Sequence, residues 1–265
     1  MIPQLIPNSG IVLKLKYFFH RTLNRYGYEI QKVSTVEKSH NEYRDLINLF
    51  SKEINIDLRT ETNDDYIFKE VYLENCYNIP PSIKGQTIID LGAHIGVFSR
   101  LAHQRGAEKV IAVEPDSVGF QILKKHLSNF PKTILYNNAV WKNNTDEILL
   151  CSPDKKLPTH YRALEATSVN LPPVCQKAIP ITLVEILMQQ KIEKVDILKI
   201  DIEGGEKEVF SSLPQEYFAK INNIVGEWHG HETVQLLKQY LAPFYHLDFP
   251  GNDPEVGYFF AHKKQ

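Results

Sequence analysis

Three cysteines, two methionines and two tryptophans are all that 265 residues hold of these types. Cys76, Cys151 and Cys175 share no C-x-x-C spacing and stand near no histidine pattern, which argues against a zinc site. Cys151 and Cys175 bracket a loop that a disulfide could close, but the safer reading is three free thiols in a reducing cytosol. No apolar run approaches the ~20 residues of a bilayer-spanning helix. No basic segment followed by a clean apolar stretch marks a signal peptide, so the expected location is the cytoplasm. Charge of one sign is also missing: a net charge of −2 gives no general pull towards nucleic acid. With 43% hydrophobic and 23% charged residues, the composition is that of a globular protein with room for one large or two small domains.

The most informative absence is a glycine. Residues 87–116 read as strand, tight loop, helix, strand, with Asp90 ending the first apolar run and Glu114 the second. Ligands of open parallel sheets bind at such carboxyl ends. A dinucleotide site asks for G-x-G-x-x-G, whereas the spacing here is Asp90-x-Gly92-x-x-x-Gly96. A carboxylate just before the loop would repel a pyrophosphate and suits a cationic ligand without phosphate. S-adenosylmethionine (SAM), with its ammonium and sulfonium, is such a ligand, and Glu114 stands where an acid can accept hydrogen bonds from ribose hydroxyls. NAD binding by an oxidoreductase is the competing reading.

Residues 1–60 differ from the remainder and read as a helical extension to a catalytic domain over 61–265. Val12 to Tyr26 puts Leu15, Phe18, Phe19 and Leu23 on one helical face and Lys14, Lys16, Arg21 and Arg25 on the other. Such a helix fits peripheral contact with an anionic membrane surface, but packing on its own domain or on a partner is the commoner use of such a face. A second helical stripe holds Tyr43, Leu46, Ile47 and Phe50. Asn63 to Ile79 is expected to cover the cofactor loop, with its aromatic residues as core. Ile134 to Tyr136 is a third strand, after which Asn138 has the reach of an adenine, and Glu147 to Leu150 a further strand. Ser152 to Pro173 reads as an irregular lid or binding loop.

Val195 to Ile200 is another apolar strand that ends in acids and glycines, Asp201-Ile202-Glu203-Gly204-Gly205-Glu206. Two acid clusters on one sheet edge call for a cation, which a sulfonium or a metal would supply. Ile221 to Glu227 leads into Trp228-His229-Gly230-His231, and two aromatic strands close the chain. His229 is the first candidate for a general base, ahead of His231 and His160. Asp201, Glu203 and Glu227 are alternatively a set for a hard divalent cation, but no metal is assigned.

With these residues in hand, the chain resembles the FkbM family of class I SAM-dependent methyltransferases. The resemblance rests on IIDLGAHIGVFS (88–99), VIAVEPD (110–116) and, most specifically, DILKIDIEGGEKEVF (196–210). It covers roughly 64–262, and His94 departs from the asparagine common in that loop. It implies a Rossmann-like α/β fold: a seven-stranded, mostly parallel sheet with an antiparallel last strand. It implies methyl transfer to a hydroxyl, with Asp90, Gly92 and Gly96 at the methionine end of SAM and Glu114 on the ribose. Asp116 and Asn138 would lie near the adenine and Asp201 by the methionine moiety or reacting centre; His94 and Pro115 complete the cofactor set. His229, Asp201 and Glu203 form the expected catalytic group. The acceptor expected is a sugar or glycan hydroxyl, lipid-linked at the inner membrane face if residues 12–26 bind there. A polyketide-type hydroxyl and a non-catalytic SAM-binding protein are the other readings.

Overall fold

The computed structural model describes residues 40–144, 147–152, 162–165, 174–251, 253 and 255–264. The basic helix expected over 12–26 and His160 lie outside them. The chain divides into two units, Met1–Leu58 and Arg59–Gln265. In the first, α1 (His40–Glu53) buries Leu46 and Ile47 of the expected stripe.

The second unit begins with a short helix, α2 (Asp64–Phe68), that runs into a π-helical turn, Lys69–Glu74. An alternation of strands and helices follows: β1 (Thr87–Leu91), α3 (Val97–Gln104), β2 (Lys109–Val113), α4 (Ser117–His126) and β3 (Thr133–Tyr136). Later come α5 (Leu183–Gln189), β9 (Val195–Ile200), α6 (Glu206–Ser212), α7 (Gln215–Phe218), β10 (Ile221–His229), α8 (His231–Leu241), β11 (Tyr245–Asp248) and β12 (Val256–Lys263). The main sheet has seven strands in the order β11-β12-β10-β9-β1-β2-β3. β12 runs antiparallel to both neighbours, and the other pairings are parallel. This is the sheet that the resemblance implies.

β1, β2 and β9 are largely apolar and buried on both faces, as strands of parallel sheets generally are. Ile89, Ile111 and Leu198 are side by side in register and fully buried. Local chemistry sets the helix starts. Asp116 caps α4 by accepting from the Gly119 amide, and Thr182 with Glu185 makes a reciprocal capping box on α5.

Five further strands stand apart: β4 (Ala139–Val140), β5 (Ile148–Ser152), β6 (Arg162–Glu165), β7 (Val174–Ala178) and β8 (Pro180–Ile181), the last pairing β4. β5 is flanked antiparallel by β6 and β7. Two expectations are corrected here. Part of the segment read as an irregular loop, Arg162–Glu165, is a strand, because it finds the open edge of β5. Cys151 and Cys175 are joined by a disulfide rather than free, because the β5–β7 register sets them directly opposite, with Cα atoms 4.1 Å apart. Cys76 alone among the three is a free thiol.

Candidate active site at the carboxyl ends of the parallel strands

A cavity of about 490 Å³ opens where β1, β2, β9 and β10 end, within the usual size of a small-ligand site. Of the residues expected to bind cofactor, Gly92, His94, Glu114, Pro115, Asp116, Asn138 and Asp201 line it. Asp90 and Gly96 are not on its wall. Asp90 is fully buried, where Ser99 Oγ donates to its Oδ2 (2.7 Å), and Gly96 starts α3 against Leu123. These two support the loop from within.

The cation demanded by the converging acids comes from the chain itself. Lys199, 3% exposed, lies 3.3 Å from Asp90 Oδ1 and 3.9 Å from Asp201 Oδ2, and donates to the Gly92 carbonyl (2.7 Å). Asp90 and Asp201, with Glu114, hold its pKa above the ordinary lysine value against the opposing effect of burial. The loops after β1 and β9 touch at Gly92. There φ is +78°, and a Cβ would sit 1.8 Å from the Asp201 carbonyl oxygen, so only glycine fits.

Glu114 is held at the end of β2 by two backbone amides, His94 N to Oε2 (2.7 Å) and Asp116 N to Oε1 (2.8 Å). Burial nonetheless pushes its pKa up to about 7. Asp116 accepts on its other oxygen from Gln176 Nε2 of β7 (2.9 Å), which ties the small sheet to this side of the cavity. Asn138 Nδ2 donates to the Ile179 carbonyl, and Asn137 Nδ2 to the Glu114 and Pro115 carbonyls.

His94 adopts a φ of +52°, a conformation that asparagine takes more readily than most residues. Its Nε2 lies 2.6 Å from Arg59 Nη2 and 3.5 Å from Asp64 Oδ1, while Arg59 grips Asp64 through Nε (3.0 Å) and Nη2 (2.7 Å). Guanidinium only donates, so Nε2 is the acceptor and Nδ1 carries the hydrogen. Burial, joined by Arg59 and Lys199, lowers the imidazole to about 4 against the pull of Asp64, so it is neutral at physiological pH. Nδ1 has no partner among the described residues.

The far wall carries acids and aromatics. Tyr77 Oη donates to Asp201 Oδ2 (2.8 Å), and its ring meets Tyr258 edge-on at 5.6 Å. Glu203, Glu227 and His229 complete this wall together with Glu70. Burial, then Asp201, Glu203 and Glu70, raise the Glu227 pKa against the opposing charge of His229. Burial lowers the His229 pKa, but Glu206, Glu203 and Asp201 overcome it and raise the group above the ordinary histidine value. His231 opens α8. The expected metal set regroups as well: ligand atoms of Asp201, Glu227 and His229 converge, without Glu203.

Arg59, Lys199, Tyr77, Gln176 and Tyr258 are site residues that sequence reasoning missed. Lys199 had a signal, a charge inside an otherwise apolar strand. Tyr77 lies in the segment expected to cover the cofactor loop, though as core rather than as a site residue; Arg59, Gln176 and Tyr258 had no signal, because they come from segments remote in the chain.

The residues fit SAM. Gly92 clears the loop, Glu114 offers a carboxylate to ribose hydroxyls, His94 Nδ1 is a buried donor without an acceptor, and the wall is rich in acids that favour a cationic ligand. Compared with known proteins, residues 90–250 match the methyltransferase FkbM domain. A methyltransferase of Sordaria araneosa, sdnD, is 25% identical over 197 residues, spanning 61% of this chain and 73% of that protein. Methyltransferase 1 of Beauveria bassiana is 21% identical over 180 residues, 62% of this chain and 72% of the relative. Among solved structures, the methyltransferase FkbM of Methylobacillus flagellatus aligns with a TM-score of 0.46 at 14% identity, covering 93% of this chain and 70% of the other. With the domain match spanning more than half of its length, this chain belongs to the FkbM family of SAM-dependent methyltransferases.

Proposed function

We propose that the methyl group goes to a hydroxyl oxygen, and that the acceptor is a sugar or glycan. The observation that carries this reading is the far wall: Asp201, Glu203 and Glu227 present carboxyl groups to the cavity beside two tyrosines. Carboxylates accept hydrogen bonds from neighbouring hydroxyls and repel anionic acceptors, and the half-buried Tyr258 ring, unlike the buried Tyr77, suits the apolar side of a sugar ring. SAM, when bound, supplies a methyl group on a positively charged sulfur.

The chain's residues must align the acceptor oxygen and take its proton as the new bond forms. Asp201 is suited to both. Tyr77 and Lys199 fix its Oδ2, while Oδ1 accepts no hydrogen bond among the described residues. His229, whose pKa Glu206, Glu203 and Asp201 raise against the effect of burial, is the alternative base on the same wall.

The test is transfer from methyl-labelled SAM to a panel of neutral methyl glycosides, uronic acids, polyketide alcohols, phenols and amines. Base-stable ether formation on neutral glycosides, with uronic acids poor, is the expected result. Labelling confined to phenols or amines would refute hydroxyl transfer to sugars, and labelling confined to polyketide alcohols would refute the sugar alone.

A further inference from the structure

The far wall has the parts of a metal centre. Asp201 leaves the end of β9, and Glu227 and His229 lie near the end of the adjacent parallel strand β10. One ligand atom from each of the three lies within 4.8 Å of the other two. That is wider than the spacing around a bound ion, and within reach of small side-chain rotations. Each group has a free valence for an ion. Asp201 Oδ1 and both Glu227 oxygens accept no hydrogen bond among the described residues, although Glu227 is partly buried.

A second, separate observation concerns the histidine. Glu206, the first residue of α6, has no exposed surface, and its Oε1 lies 3.7 Å from His229 Nδ1. The amides of Ile202 and Gly204 donate to Oε1 (3.2 and 3.3 Å), whereas Oε2 has no partner. Nothing in the hydroxyl-transfer reading uses this buried carboxylate. Histidines that bind metals commonly hand their second nitrogen to a carboxylate, which fixes ring orientation and tautomer. Glu206 behind Nδ1 leaves Nε2 directed to the carboxylate side, where Glu203 Oε2 is 3.5 Å away.

We propose that Asp201, Glu227 and His229 form a divalent-cation site on the acceptor side of the cavity, with Glu206 as the positioning residue behind the histidine. Two carboxylates and one imidazole suit a borderline-hard ion such as Mn²⁺ and leave positions open for two acceptor oxygens. Lys199 lies 3.9 Å from Asp201 on the opposite oxygen, so it neutralises the interior side and leaves Oδ1 for the ion. The ion's use rests on the hydroxyl-transfer reading: it would orient a vicinal diol and lower the pKa of the attacking hydroxyl, and with Asp201 Oδ1 on the ion the neighbouring Glu203 carboxylate would take the proton instead. The site itself does not depend on that reading.

The experiment is a titration of the EDTA-stripped full chain with Mn²⁺ alone, read by calorimetry and by the loss of the free-ion paramagnetic signal. One equivalent is expected to bind. Glu227→Gln and His229→Gln should each weaken binding by at least tenfold, and Glu206→Gln by about ten- to a hundredfold, the range for an outer carboxylate. A cooperative thermal transition checks the fold of each variant, and the partly exposed Glu227→Gln decides the matter if the buried variants do not fold. Failure of the parent to bind Mn²⁺ at millimolar concentration overturns the site, as does parent-like binding by Glu227→Gln. Methyl transfer from SAM to neutral glycosides is assayed in parallel. If it occurs while Mn²⁺ does not bind, only the metal site falls; if Mn²⁺ binds and it does not occur, the site stands and the hydroxyl-transfer reading falls.

Discussion

Lys199 sets its ammonium 3.3 Å from the Asp90 carboxylate in the interior of the sheet, and neither side chain is more than 4% exposed. Removing one member of such a pair strands the other charge, at a cost of about 3–5 kcal/mol. Lys199→Met, which keeps the length of the side chain, should therefore lower stability by about that amount in chemical denaturation. The melting temperature should fall by roughly 10 °C for a unit of this size. A loss below about 1 kcal/mol would show that water, rather than Lys199, balances Asp90.

Much of this centre was legible in the sequence, for a physical reason. β1, β2 and β9 are buried on both faces, so they appear as largely apolar runs, and the acids at or just beyond their ends mark the edge of the sheet where ligands bind. Glu114 and Asp201 were found this way. The small sheet was less legible. Val174 to Ala178 is short and half-exposed, without the alternation of a one-sided strand, and the Cys151–Cys175 link depends on a register that only the folded β5–β7 pair defines. Arg59 precedes its partner His94 by 35 residues and belongs to no motif. The direction of a side chain was also beyond the sequence: Asp90 was read as touching the cofactor, yet it points inward to Lys199.

Glu114 carries a proton in half of the molecules near pH 7, because burial outweighs its two amide hydrogen bonds. Ribose hydroxyls donate better to the carboxylate than to the acid. Affinity for S-adenosylhomocysteine should therefore rise from pH 6 to pH 8, by no more than about tenfold per unit for one proton. Glu114→Gln should flatten this dependence and lie below the parent at pH 8. Calorimetric titration across the range checks it, and a parent profile as flat as that of the variant would remove Glu114 from the ribose.

The thiol count discriminates the two cysteine environments. Denaturation without reductant should expose one reactive thiol, and denaturation with reductant three. In the native protein Cys76 should react slowly even at pH 8, since burial pushes its pKa up to about 12. The bridge closes a sequence separation of 24 residues, which on the chain-entropy account contributes roughly 3 kcal/mol. Reduction should lower the unfolding midpoint accordingly. Three thiols in the unreduced, denatured chain would exclude the bridge.

Burial, with Arg59 and Lys199, sets the protonation of His94. Asp64 is fully buried, and its charge attracts a proton to the imidazole 3.5 Å away. Arg59 satisfies that carboxylate first, and with burial it keeps His94 down at about 4. A histidine whose folded pKa is depressed binds fewer protons in the native state than in the unfolded one between about 4 and 6.5. In the parent, this group therefore makes stability fall as pH drops through that window. In Arg59→Met, His94 becomes the nearest available cation for Asp64, and its pKa should rise above 6.5. The sign then reverses: the contribution is fully present below the unfolded value and is lost as pH rises through the folded one. The variant should be less stable at pH 8, by about 2–4 kcal/mol for a partly uncompensated buried carboxylate, and should recover part of that loss at pH 5.5. Proton resonances of the His94 ring followed against pH, beside denaturation at both pH values, give the test. An imidazole that still titrates near 4 in the variant would mean that burial alone holds it neutral and that Arg59 acts only on Asp64.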